Sequence, residues 1–88
     1  MIKPARLALV AGTLTAVTPT RGSSSLVIMN GTPGDVTVYG GDDASGAGDY
    51  AVVASNFSLP PVLGNFPTAQ PVAYVKADVA GTVVLLWA

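Results

Sequence analysis

The sequence predicts an all-β protein: a compact antiparallel β-sandwich or small barrel with no significant helix. Thirteen Val, two Ile and eight Thr in 88 residues supply β-branched side chains, which lose rotamer freedom in a helix but fit a pleated sheet. Ten Gly and seven Pro interrupt the chain at intervals shorter than an ordinary helix, and no stretch keeps apolar residues at i, i+3, i+4 and i+7. A chain of this length makes one domain, residues 1–88.

Taken in order, Leu7–Ala11 alternates Leu7 and Leu9 with Ala8 and Val10. Gly12 breaks or bulges this strand before Thr13–Val17 continues it, and Pro19 ends it. Ser25–Asn30 places Leu26 and Ile28 on one side and Val27 and Met29 on the other, so both of its faces are expected to be covered. Asn30-Gly31-Thr32-Pro33-Gly34-Asp35 carries turn residues that let the chain reverse into Val36–Tyr39, which predicts a hairpin. The loop at 40–49, GGDDASGAGD, has no bulky apolar residue and is expected to be exposed and flexible. Tyr50–Val53 and Asn56–Leu59 are short strands, closed by Pro60-Pro61. Residues 57–71 form a proline-rich arm or loop, irregular from Val62 to Pro71. A second hairpin is expected from Val72–Ala77 and Thr82–Trp87 around Asp78-Val79-Ala80-Gly81.

Composition limits function more sharply than it limits fold. There is no Cys and no His, which removes thiol nucleophiles, disulfides, zinc–thiolate sites and the usual general base. There is no Glu, so Asp35, Asp42, Asp43, Asp49 and Asp78 are the only side-chain carboxylates. An activated serine would have only Lys3 or Lys76 as its base. No nucleophile elbow, phosphate-binding glycine loop or dinucleotide fingerprint is present. Asp42, Asp43 and Asp49 offer hard oxygen ligands within the glycine-rich loop and are candidates for calcium, at a spacing that matches neither the EF-hand loop nor the calcium-binding β-roll repeat. No cofactor is expected, and no enzyme. Lys3, Arg6, Arg21 and Lys76 form no basic run, which argues against nucleic acid. The apolar stretch Leu7–Ala11 is too short for a signal peptide, and the longest apolar run, Val83–Ala88, is far short of a membrane span.

Half of the residues are hydrophobic and only 10% are charged, against a usual charged share of about 25%. So few charges cannot dress the outside of a small domain, which points to neighbours that cover it. Phe57, Leu59, Val62, Leu63 and Phe66, set among prolines, together with Tyr74 and Trp87, are the expected interface residues. Tyr39 and Tyr50 beside the 40–49 loop offer a second surface, of the type that takes sugars.

The segment AGTLTAVTPTRGSSSLVIMNGTPGDVTVYGG, residues 11–41, and the closing PVAYVKADVAGTVVLLWA, residues 71–88, resemble a loose group of small bacteriophage virion proteins. In that group a Thr/Val-rich strand leads to one ending in Asn, then to a glycine turn and a strand ending in Tyr-Gly, and an apolar hairpin closes the chain. The resemblance covers roughly half of the sequence. It implies a jelly-roll-like sandwich acting as a capsid cement or decoration protein, a homotrimer seated on the major capsid protein at the outside of the virion and made in the host cytoplasm. Fibre and spike components share the style, which implies as an alternative a tail module that binds a receptor or glycan. The middle of the chain, residues 42–70, departs from the group's pattern. No catalytic residue carries over.

Overall fold

The computed structural model describes residues 2–88, with Lys3 described by its backbone alone. Eight strands are described: β1 (Lys3–Leu9), β2 (Thr15–Val17), β3 (Ser23–Asn30), β4 (Val36–Gly40), β5 (Tyr50–Val53), β6 (Val62–Phe66), β7 (Ala73–Ala77) and β8 (Gly81–Trp87), most of them built on β-branched and aromatic residues. No helix occurs among the described residues. Two four-stranded antiparallel sheets result, sheet A in the order β1-β8-β3-β6 and sheet B in the order β2-β7-β4-β5.

The pairing is nested. β1 pairs with β8, β2 with β7, β3 with β6 and β4 with β5. Pro4 faces Leu86, Val17 faces Ala73, Leu26 faces Val62 and Val36 faces Val53. The chain is therefore one long antiparallel ribbon that reverses at the 40–49 loop and rolls up, and β3–β8 and β4–β7 ladders close the two sheets. This is jelly-roll connectivity, built from two Greek keys.

Between the sheets lies one core. Leu26, Val83, Leu85, Trp87 and Ile28 from sheet A pack with Val17, Val36, Val75, Ala73 and Ala77 from sheet B. The folded chain exposes 5000 Å², close to the roughly 4,800 Å² expected of a compact monomer of this mass.

Three expectations about connectivity are corrected. First, β3 and β4 belong to different sheets, as do β7 and β8, so neither expected hairpin exists and both connections are arches across the sandwich. The two arches pack side by side: a Cβ on Gly31 would lie 2.6 Å from the Thr82 carbonyl oxygen, and one on Gly81 would lie 3.0 Å from Thr32. Second, Gly12, at φ +75°, breaks the strand as one of the two expected outcomes, but Thr15–Val17 does not continue it: the chain passes there from sheet A to sheet B, with the Gly12 N–H donating to the Ala77 carbonyl at 2.9 Å. Third, the stretch from Asn56 to Phe66 is neither a loose arm nor irregular. Asn56 and Leu59 donate to the carbonyls of Asn30 and Ile28, and Val62–Phe66 pairs with β3. Asn56–Leu59 is not the expected strand, since only Ser58 bridges to Met29; the edge strand is β6, which begins after Pro60-Pro61, and an edge tolerates prolines because one side of its ladder is open.

A buried polar cluster sets the first arch. Asn30 and Thr32 are 2% and 1% exposed. The Asn30 amide donates to the carbonyls of Gly34 and Val53, both at 2.8 Å. Its Oδ1 accepts from the Thr32 N–H at 2.8 Å and lies 2.7 Å from the Thr32 hydroxyl. Ser55 donates to the Thr32 carbonyl at 2.6 Å. One side chain thus ties β3, the arch and the end of β5 together, and no described buried side-chain nitrogen or oxygen lacks a partner.

Candidate functional site

The polar side chains are largely spent on the fold. Ser23, Ser24, Ser45 and Ser55 donate to the Arg21 carbonyl, the Ala88 carbonyl, the Asp43 carboxylate and the Thr32 carbonyl. Lys76 extends its ammonium over the Tyr39 ring, 5.8 Å from the centroid, and the Lys3 side chain lies outside the described residues. Among the described residues, no group of three or more carboxylates gathers in a way that could hold a metal ion.

Asp42, Asp43 and Asp49 border one shallow depression with Gly40 and Gly48, but Asp43 has an internal task. Its Oδ2 accepts from the Gly48 N–H at 2.8 Å, and its Oδ1 accepts from the Ala47 N–H at 3.1 Å and the Ser45 hydroxyl at 3.3 Å. The Gly48 bond contributes most to holding the carboxyl below the usual carboxylate range, against partial desolvation and with help from Ala47 and Ser45. The expected flexible loop is therefore organised around one carboxylate. It also covers a tyrosine: a Cβ on Gly46 would touch the Tyr39 ring at 3.4 Å.

Tyr39 belongs to a row across the outer face of sheet B. Tyr74, Tyr39 and Tyr50 stand opposite one another on β7, β4 and β5. Tyr39 is buried beneath the loop, Tyr74 is half-buried and Tyr50 is exposed, with the Tyr39 and Tyr50 rings 5.9 Å apart and tilted by 55°.

An apolar surface lies on sheet A and its β6 side. Leu26 and Ile28 of β3 and Val83 and Leu85 of β8 point into the core, so the alternate residues point out. The outer face therefore shows Pro4, Leu86 and Val27 in one row, and Arg6, Val84, Met29 and Ser58 in the next. Arg6 is the one charged residue in these two rows. Leu63, opposite Ser25, is 77% exposed, and Phe57 is 68% exposed. Phe57 stands between two hollows. One, of about 340 Å³, is lined by Val52, Val53, Ala54, Leu59 and Pro60, and the other, of about 220 Å³, by Met29, Asn30, Gly31, Asn56 and Val84. Among the described residues, Met29, Phe57 and Leu63 are exposed large hydrophobics on this side, and Val52 of β5 adjoins Phe57 across the first hollow.

The expected interface residues divide into three groups. Phe57, Val62 and Leu63 lie open on the flank. Trp87 is 7% exposed, its ring meeting Phe66 edge-on at 6.4 Å, and Phe66 and Leu59 pack against the same core. These three serve the protein's own interior. Tyr74 is half-buried in the tyrosine row of the opposite sheet. Sequence reasoning passed over Val27, Met29, Val84 and Leu86 as surface residues, although two-sided apolar alternation in β3 and β8 was the available signal. It also passed over the Asn30–Thr32 cluster, because a buried Asn in a turn-rich segment looks like any turn Asn. No family model, no curated protein and no solved structure matches the chain.

Proposed function

We propose that this protein is a non-enzymatic structural component of a bacteriophage virion, a capsid cement or decoration protein that stabilises the major capsid shell as an oligomer on its exterior. The observation that carries the reading is the apolar outer surface of sheet A, with Phe57 and Leu63 standing clear of it. Fully burying a large apolar side chain is worth about 1.5–3 kcal/mol. Covering Leu63 and Met29 would thus contribute about 3 kcal/mol before the costs of association. Binding to the assembled shell and not to free subunits then stabilises the shell by mass action, with no chemical step. Shells stripped of the protein are expected to lose resistance to heat and osmotic shock and to regain it when the protein is added back; unchanged resistance refutes the cement role.

A second reading, a tail-fibre module that binds a receptor or glycan, draws on the tyrosine row and the depression beside it. Tyr50 is exposed and follows Asp49, which borders the depression with Asp42; an aromatic ring and carboxylates are the groups that stack on a sugar and accept from its hydroxyls. Immunogold labelling separates the two: label over the shell supports cement, and label at the tail supports adhesion.

A further inference from the structure

A sheet edge is an open row of backbone donors and acceptors, and proteins usually discourage pairing there with Pro, charge, brevity or a bulge. Three of the four edges are treated in this way. β1 carries Pro4 and Arg6, β2 is three residues long and runs towards Pro19, and β6 is framed by Pro60-Pro61 and Pro67, contains Gly64 and shifts register opposite Ser23–Ser25. β5 is also short, at four residues, but has none of the other devices. Tyr50-Ala51-Val52-Val53 contains no Pro, Gly or charge, and it stays in register with β4 over all four residues. Its outer-face side chains, Tyr50 and Val52, are 65% and 54% exposed. Among the described residues no strand pairs with its open side.

We infer that β5 is the self-association edge: two copies pair antiparallel along β5 about a two-fold axis, joining two copies of sheet B into one eight-stranded sheet. The inference deepens the oligomer part of the reading above and rests on it; binding to a shell is a separate matter. The occupant is a second copy because the strand complements itself. Side chains that meet across a ladder must lie on the same face, and a register centred on Ala51 satisfies this over three positions. It places Tyr50 opposite the partner's Val52 twice, an aromatic on a β-branched residue, with the small Ala51 at the axis.

The area is consistent with this pairing. Tyr50, Val52 and Phe57 expose roughly 350 Å² of side chain per copy, taking about 200 Å² for an aromatic residue. With Ala51, Ala54 and the strand backbone, the pair covers roughly 1,000–1,200 Å² in all, the lower limit of a specific interface. A contact at this limit is expected to be concentration-dependent. A two-fold contact makes pairs and not rings, so the stoichiometry itself tests the inference.

Sedimentation of the purified protein from about 5 to about 500 μM is expected to show a reversible monomer–dimer equilibrium with the dimer as the largest species. Val52→Lys, a charge on the open edge, is expected to weaken dimerisation at least tenfold, while Leu63→Lys leaves it intact. The protein has no cysteine, so Ala51→Cys should form a disulfide-linked dimer under mild oxidation faster than Val79→Cys does. A monomer at the highest concentration, a trimer as the end species, or Val52→Lys and Ala51→Cys behaving like their controls would each overturn the inference. If dimerisation holds but stripped shells take up no protein, the shell reading fails and this one stands.

Discussion

Replacing Asn30 with Ala tests the account of how the sandwich is folded over. The side chain is almost wholly buried, and its amide and carbonyl meet four partners at 2.7–2.8 Å. After truncation the Gly34 carbonyl keeps the Thr32 hydroxyl, which lies 2.9 Å away. The Val53 carbonyl and the Thr32 N–H lose the partners that Asn30 supplied. Leaving a buried polar group unsatisfied costs about 1–3 kcal/mol, so the two together cost about 4 kcal/mol. A chain of this length has a total stability of roughly 4–13 kcal/mol, so the variant is expected to lose a third or more of it and to melt about 15–30 °C lower. Urea unfolding followed through Trp87 fluorescence measures this directly. Asn30→Asp keeps the shape and the acceptor but places an oxygen against two carbonyl oxygens, and it should be at least as damaging. A loss below about 1 kcal/mol in both variants would refute the claim that this cluster holds the arch.

The arches make a second prediction: Gly31→Ala sets a methyl group against the Thr82 backbone and should destabilise by more than about 2 kcal/mol, whereas Gly22→Ala, with open space around it, should change the melting temperature little. The 40–49 loop makes a third. The Asp43 carboxyl is held below its unfolded value, so its ordering of the loop is complete above the ordinary carboxylate range near about pH 4 and is lost as pH falls through the lower folded value. The Gly48 and Ala47 amides should lose hydrogen-exchange protection in that acid window while the β4–β7 ladder keeps its own, and Asp43→Asn should show the same loss at neutral pH.

What the sequence made legible was the strands, and what it hid was their partners. β3, β4, β5, β7 and β8 fall within a residue or two of the β-branched runs that predict them. A turn such as Asn30–Asp35, however, reverses the chain equally well within a sheet or between two sheets. The choice of an arch is written in tertiary packing, in the Asn30 amide reaching Val53 and in Gly31 lying against Thr82, which no local window contains. β6 was hidden by its prolines, because Leu59, Pro60 and Pro61 look irregular until β3 is seen beside them. Of the interface residues, Phe57 and Leu63 were identifiable as apolar residues with no strand periodicity to bury them. Trp87 was not placed, since alternation along β8 assigns it a face but not which face is inward. The apolar outside of sheet A was implicit in the two-sided alternation of β3 and β8. Reading it as a surface required knowing that none of the other described residues covers it.

The most direct test of the docking account is to add the purified protein back to stripped phage shells and measure uptake by co-sedimentation, with Met29→Asp/Leu63→Asp as the comparison. The outer face of sheet A as the contact predicts saturable uptake of the wild type and at least a tenfold weaker affinity for the double variant, which should fold and melt like its parent. Equal uptake of both proteins, or none of either, would contradict it.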